Sequence, residues 1–174
     1  MRIFLANLGK YNEGQLVGQW LDLPCTNEKL MTALQEIGID WVQYEEYFIT
    51  EYEFMSKDSN IRLEIGEYES LSMLNEVAKL IEKLEDHELQ VLKAIIEAKS
   101  PDVSDLQDII GRLAEYTLCT DVHTEEDLGR YIIGNRGYTI DTHLAEYLNY
   151  EELGRDEAIN SGGDFTSLGW LEYA

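Results

Sequence analysis

Arg2-Ile3-Phe4-Leu5-Ala6-Asn7-Leu8 opens the chain as a short apolar strand, and the turn-rich stretch Gly9 to Gly14 follows it at once. Gln15 to Leu23 reads as a second strand that stops at Pro24. Thr26 is placed to cap a helix running to Ile37, with Leu30, Ala33, Leu34 and Ile37 on one apolar face and Gly38 ending it. Tyr44 to Phe54 predicts a third strand, with Phe48, Tyr52 and Phe54 on one face and Glu45, Glu51 and Glu53 on the other. Strand, strand, helix, strand in little more than 50 residues makes the beginning of the chain a small mixed α/β unit.

Beyond Ile61 the period becomes helical. Leu71, Leu74, Ala78, Ile81 and Leu84 mark one helix, and Leu89, Leu92, Ile95 and Ile96 a second. Leu106, Ile109, Ile110 and Leu113 mark a third, for which Ser100-Pro101 is the start signal with proline at the first helical position. Thr124 to Asp127 resembles a capping box opening a fourth helix through Ile133, and Asp141 or Thr142 caps a fifth. Gly162-Gly163 leads into an apolar C-terminal tail. The fold class expected is α+β, with a mixed α/β domain at 1–61, a helical middle domain at 62–100 and a mainly helical domain at 101–174.

The 174 residues carry 35 acids and 13 bases, a net charge of −22. Residues 1–60 hold 10 acids and 4 bases, 61–110 hold 12 and 5, and 111–174 hold 13 and 4. So even a spread excludes a neutral domain with an acidic tail. It also excludes ordinary nucleic-acid binding, which needs clustered Lys and Arg, and an anionic membrane surface as partner. With 44% hydrophobic residues the chain can bury a core, unlike a disordered acidic segment. No apolar run approaches the ~18 residues of a spanning helix, and no export signal is visible, so the cytoplasm is the expected compartment, with Cys25 and Cys119 as free thiols.

Catalytic motifs are absent: the chain has no Walker A loop, dinucleotide GxGxxG, GxSxG elbow or HExxH. Cys119 and His123 stand four apart without further metal ligands, and Asp156 to Asp164 lacks the alternating ligands of a calcium loop. Among so many carboxylates, some pair falls at any separation by chance, so a two-carboxylate hydrolase does not follow from Asp and Glu alone. No enzyme activity, metal or cofactor is expected.

The acids themselves have a telling geometry. Glu51 and Glu53 on one strand face would lie roughly 6.7 Å apart. Asp102, Asp105 and Asp108 on the third helix would rise about 4.5 Å per step opposite the apolar stripe. Both are of the order of the ~3.4 Å phosphate spacing along one strand of duplex DNA. A compact chain of this length has a radius of gyration near 16 Å, hence a diameter of about 40 Å. Forty ångströms of duplex carries about 24 phosphate charges, close to the −22 here, and a dimer at about −44 would match about 75 Å. Each acid on an amphipathic element can be plain solvated charge. The excess over the whole chain makes duplex mimicry quantitatively reasonable.

Ala6-Asn7-Leu8-Gly9-Lys10-Tyr11-Asn12-Glu13-Gly14, with Leu16, Gly18, Trp20 and Leu23-Pro24, closely resembles the opening of ArdA-type antirestriction proteins. Glu45-Glu46-Tyr47 leading to Tyr52-Glu53, then Leu74-Asn75, then Tyr147 to Tyr150 with Gly154-Arg155-Asp156 and Phe165, recur in the family's order. The resemblance implies an acidic DNA mimic carried by mobile elements. It would bind the DNA-binding subunits of type I restriction-modification enzymes, acting as an elongated homodimer of three-domain subunits. On that reading the mimic surface is Glu45, Glu51 and Glu53, then Glu64, Glu67 and Glu69, then Asp102, Asp105 and Asp108. The family's antirestriction motif falls on Asp127 to Asp141. Here it carries Arg130 and Arg136 and few acids, and Tyr131, Ile132, Ile133 and Tyr138 suit a core or dimer contact. The competing reading is an acidic adaptor or chaperone-like module for basic host proteins, without DNA-shape mimicry.

Overall fold

The computed structural model describes residues 1–54, 63–135 and 139–173. They form mixed helices and small antiparallel sheets, as an α+β chain should, in two units: Met1–Leu84 with Pro101–Ile110, and Glu85–Ser100 with Gly111–Ala174.

In the first unit β1 (Arg2–Asn7), α1 (Leu8–Asn12), β2 (Gly18–Asp22), α2 (Asn27–Glu36), β3 (Tyr47–Glu53) and α3 (Leu71–Ile81) follow in order. The sheet is antiparallel with order β2-β1-β3, and β1 is its fully paired centre. Ile3 and Leu5 of β1 lie opposite Leu21 and Gln19 of β2, and the Gln19 side-chain amide donates to the Ala33 carbonyl at 2.8 Å, which holds α2 over this face. Burying Ala33, Leu34 and Ile37 there removes the apolar stripe from water, at about 1.5–3 kcal/mol for each large side chain. The Thr26 hydroxyl accepts from the Lys29 N–H at 3.2 Å, the expected cap, and Gly38 at φ 85° follows the helix end.

The expected faces of the third strand need a correction. The β1–β3 register slips between Phe4 and Leu5, pairing Phe4 with Glu51 but Leu5 with Ile49, so Thr50 is an extra residue in a bulge. Side-chain alternation inverts there. Phe48, opposite Ala6, shares a face with Glu51 and Glu53, while Tyr52, opposite Ile3, shares the other with Ile49. Glu45 lies before the strand, because the Asp40 carboxylate accepts the N–H groups of Val42, Gln43 and Tyr44 and holds that stretch as a turn.

α4 (Asp86–Lys99) opens the second unit with a Glu85–Glu88 capping box and buries Leu92, Ala94, Ile95 and Ile96. It ends at Ser100, whose φ of 43° is left-handed. Residues 101–110 belong again to the first unit, and their helix does not begin at Pro101: Asp102 is extended (φ −70°, ψ 158°), a 3-10 turn covers Val103–Asp105, and α5 (Leu106–Gly111) follows. Burial sets this start, since Val103 and Leu106 are the first residues of the segment removed from solvent. The three aspartates therefore straddle an extended residue, a 3-10 turn and an α-helix, and do not climb one helix at a constant step.

The rest of the second unit is β4 (Tyr116–Cys119), α6 (Glu125–Asn135), α7 (Thr142–Ala145), α8 (Tyr150–Ser161), β5 (Asp164–Thr166) and β6 (Gly169–Tyr173). The strands form an antiparallel sheet of order β4-β6-β5, which the helical period of the surrounding sequence conceals. Val122, Leu128, Ile132 and Trp170 make the core beneath it. The capping box is present: the Thr124 hydroxyl accepts from the Asp127 N–H at 3.1 Å, and the Asp127 carboxylate accepts from the Thr124 N–H at 3.0 Å. Both cysteines are free thiols, and among the described residues no helix is long and apolar enough to cross a membrane.

The Thr124 hydroxyl, then the N–H groups of His123 and Thr124, hold the Asp127 carboxyl below the usual aspartate range. A group more acidic folded than unfolded contributes stability that is complete above its unfolded pKa, ~3.9, and lost as the pH falls through the depressed value. Asp127→Ala should therefore lower the urea midpoint at neutral pH, and the gap to wild type should begin to narrow below pH ~3.9 and go on closing as the pH falls. A gap independent of pH would assign the cap to Thr124 alone.

Candidate acidic interaction surface

All nine acids expected on the mimic surface fall in the first unit. Seven are exposed, and Glu53 and Glu69 are half-buried. Glu51 and Glu53 project from the face of β3 that also carries Phe4, Trp20 and Arg2 on the neighbouring strands. There the Phe4 and Trp20 rings meet edge to face at 5.5 Å, and the Arg2 guanidinium lies 4.5 Å above the Trp20 ring, between Asp22 at 3.6 Å and Glu53 at 3.8 Å. The aromatic pair is a floor on which Arg2 is stacked and neutralised.

Glu64, Glu69 and Asp102 come together as the walls of an open groove of about 380 Å³, floored by Ile65 and Val103. The Ile49 N–H donates to the Glu67 carbonyl at 2.7 Å, which holds the segment along the edge of β3, and the 103–105 turn packs on α3. Acids 38 positions apart in sequence thus become neighbours through that backbone bond on one side and the packing of the turn on α3 on the other. Glu45 stands in the 40–46 loop, while Asp105 and Asp108 are exposed on the 103–111 segment. Among the described residues, Glu45, Glu51, Glu64, Glu67, Glu69, Asp102 and Asp105 form no ion pair.

Several bases, by contrast, are occupied. Arg112 bonds Glu115 at 2.7 Å while the Tyr173 hydroxyl donates to the same carboxylate at 2.6 Å, which pulls the Glu115 carboxyl below its ordinary range. Arg130 pairs with Glu126 at 2.7 Å and stacks on Tyr150 at 4.2 Å; Arg155 bridges Glu125 at 2.8 Å and Glu151 at 2.9 Å. Lys79 pairs with Glu76 at 2.7 Å. With each such base spent locally, the excess is carboxylate. It divides evenly: the first unit has 18 acids and 7 bases, the second 17 and 6, so each carries −11.

Within Asp127 to Asp141, Ile132 belongs to the unit's own core and Tyr131 packs against it, while Ile133 is half-buried. Tyr138, with Arg136, lies outside the described residues. Spacing alone does not single out the acids of the second unit, Glu125, Glu126 and Glu151 among them, because the packing of α6 on α8 that assembles them is non-local.

A family model described as antirestriction protein (ArdA) matches residues 3–172 of the chain. The chain belongs to the ArdA family. A search of curated proteins finds no match. ArdA proteins are antirestriction proteins, a non-catalytic inhibitor family that acts on restriction enzymes. In this ArdA chain Asn7, Asn75 and Phe165, which belong to the family signature, have structural roles. Asn7, fully buried, accepts the Lys10 N–H at 3.0 Å to cap α1 and donates to the Ile37 carbonyl at 3.2 Å, tying β1 to the end of α2. Asn75, also buried, donates to the Cys25 carbonyl at 2.9 Å and accepts from the Cys25 N–H at 2.8 Å, so α3 grips the turn after Pro24. Phe165 leans on Trp170 at 4.7 Å.

Proposed function

We propose that this antirestriction protein is a DNA mimic that occupies the DNA-binding groove of type I restriction-modification enzymes and keeps incoming, unmodified DNA out of it, acting as a homodimer. The observation that carries the reading is the division of charge: −11 on each unit, with Arg2, Lys79, Arg112, Arg130 and Arg155 each bound to an acid of its own unit and seven of the nine expected acids exposed to solvent. Such carboxylates stand where phosphates would, facing the enzyme's Lys and Arg, and released counterions drive association as they do for DNA. No step of this needs a cofactor, a metal or a reacting group on the chain.

The test is a displacement titration. The protein should release duplex DNA from a purified type I methyltransferase stoichiometrically, and its affinity should fall steeply between about 50 and 200 mM salt. Binding without displacement would favour the acidic adaptor; no binding at low salt would end both. Sedimentation of the free protein checks the dimer.

A further inference from the structure

The loop from Asp40 to Tyr44 presents two apolar side chains outside the buried core. Val42 is 84% exposed and Trp41 49%, whereas Trp170 is 1% exposed and Trp20 packs on Phe4. Trp41 also sits at φ 59°, a left-handed backbone that a bulky residue rarely adopts. The surroundings over-determine it. The Asp40 carboxylate accepts the N–H groups of Gln43, Tyr44 and Val42 at 2.8, 2.9 and 3.0 Å, and the Tyr44 carbonyl accepts those of Asp40 and Trp41 at 3.1 and 3.2 Å. Tyr44 is itself anchored, its hydroxyl on Glu13 at 3.1 Å and its ring under the Lys10 ammonium at 5.4 Å. A rigid turn therefore holds an aromatic tip out of the protein's own core, and backbone strain of this kind is kept where a presented side chain has a use.

The charge around the tip identifies what it meets. Asp40, Glu45 and Glu46 are exposed within seven residues that include no base, and they outnumber the Lys10 ammonium over the Tyr44 ring three to one. A second copy would bring the same acids face to face, so self-association through the tip is opposed. A basic surface with an apolar cleft is complementary in both respects. We infer that Trp41 and Val42 form a preorganised apolar anchor that enters a cleft in the basic DNA-binding surface of the restriction enzyme, giving the complex a salt-insensitive contribution that DNA itself lacks. This rests on the proposed function and adds to it a determinant of partner choice. Buried aromatic anchors ringed by polar contacts carry a large share of protein interface energy.

The experiment compares wild type, Trp41→Asn and Val42→Ala in the displacement titration at low and high salt. Asparagine tolerates the left-handed backbone, and Val42 is strained in no way, so unchanged thermal melts are expected of both. Trp41→Asn should weaken displacement roughly 10- to 30-fold and Val42→Ala several-fold, by the same factor at each salt concentration. Wild-type affinity in the Val42→Ala and Trp41→Asn proteins would overturn the anchor while leaving mimicry standing. A loss that vanishes at high salt would also overturn it, by making the effect electrostatic. Failure of the wild type to displace DNA would overturn the mimicry and the anchor together.

Discussion

Gly154→Ala should push α6 and α8 apart and destabilise the protein. A Cβ at Gly154 would fall on the Glu125 carbonyl oxygen and stand 2.8 Å from the Gly129 backbone nitrogen; one at Gly129 would fall on the Tyr150 carbonyl oxygen and stand 2.8 Å from its carbonyl carbon. The obstacles are backbone atoms of the opposite helix, which cannot rotate away as a side chain would. Overpacking a well-filled core costs about 1–3 kcal/mol even where side chains adjust, and this site has none to adjust. A loss of about 3 kcal/mol or more lowers Tm by roughly 6–12 °C in a chain of this size. Separating the helices also breaks the Arg155 bridges to Glu125 and Glu151 and exposes Leu128 and Ile132. Calorimetry of Gly154→Ala, Gly129→Ala and the double variant checks this. The double variant should cost less than the two losses added, because one displacement of the helices accommodates both methyl groups. A single variant melting within a degree or two of wild type would mean that the helices do not touch at these glycines.

The second large effect concerns the surface. Replacing Glu45, Glu51, Glu53, Glu64, Glu67, Glu69, Asp102, Asp105 and Asp108 by their amides removes nine of 22 net negative charges and leaves the buried core untouched. If each of these carboxylates meets a basic group of the enzyme and contributes about two- to three-fold, the nine together should weaken inhibition about 10³-fold or more at moderate salt. The slope of affinity against salt should flatten in the same variant. Each amide taken alone should cost only a few-fold, because no single charge dominates a sum of screened pairs. Inhibition abolished by one substitution would contradict distributed mimicry, and a nine-fold variant with unaltered inhibition would place the mimic surface on the second unit.

Glu51 shows how far the sequence reading reached. Its position beside Glu53 on one strand face was legible from a period of two. The bulge at Thr50 was not, because a register slip depends on the pairing of β1 with β3 and leaves no mark in either segment. Asp102, Asp105 and Asp108 were legible as solvent-facing acids, but the helix assigned to them starts only where Val103 and Leu106 find burial. The C-terminal sheet escaped for a similar reason. β4 has four residues and β5 three, too few for alternation to register, and Cys119 meets Trp170 across 51 positions of chain.

The sequence by itself determined the composition of the surface, the capped helices at Thr26 and Thr124, the apolar stripes of α2, α3 and α4, and the family. These are local properties: a cap needs four residues, a stripe two turns, a charge total no structure at all. Tertiary structure alone decided that Glu64 and Asp102 share a groove, that Gly129 and Gly154 are the floor of a helix crossing, and that Trp41 is held outward. Each depends on which distant segments pair, and pairing is set by burial and backbone hydrogen bonding summed over the whole unit rather than by any stretch read alone.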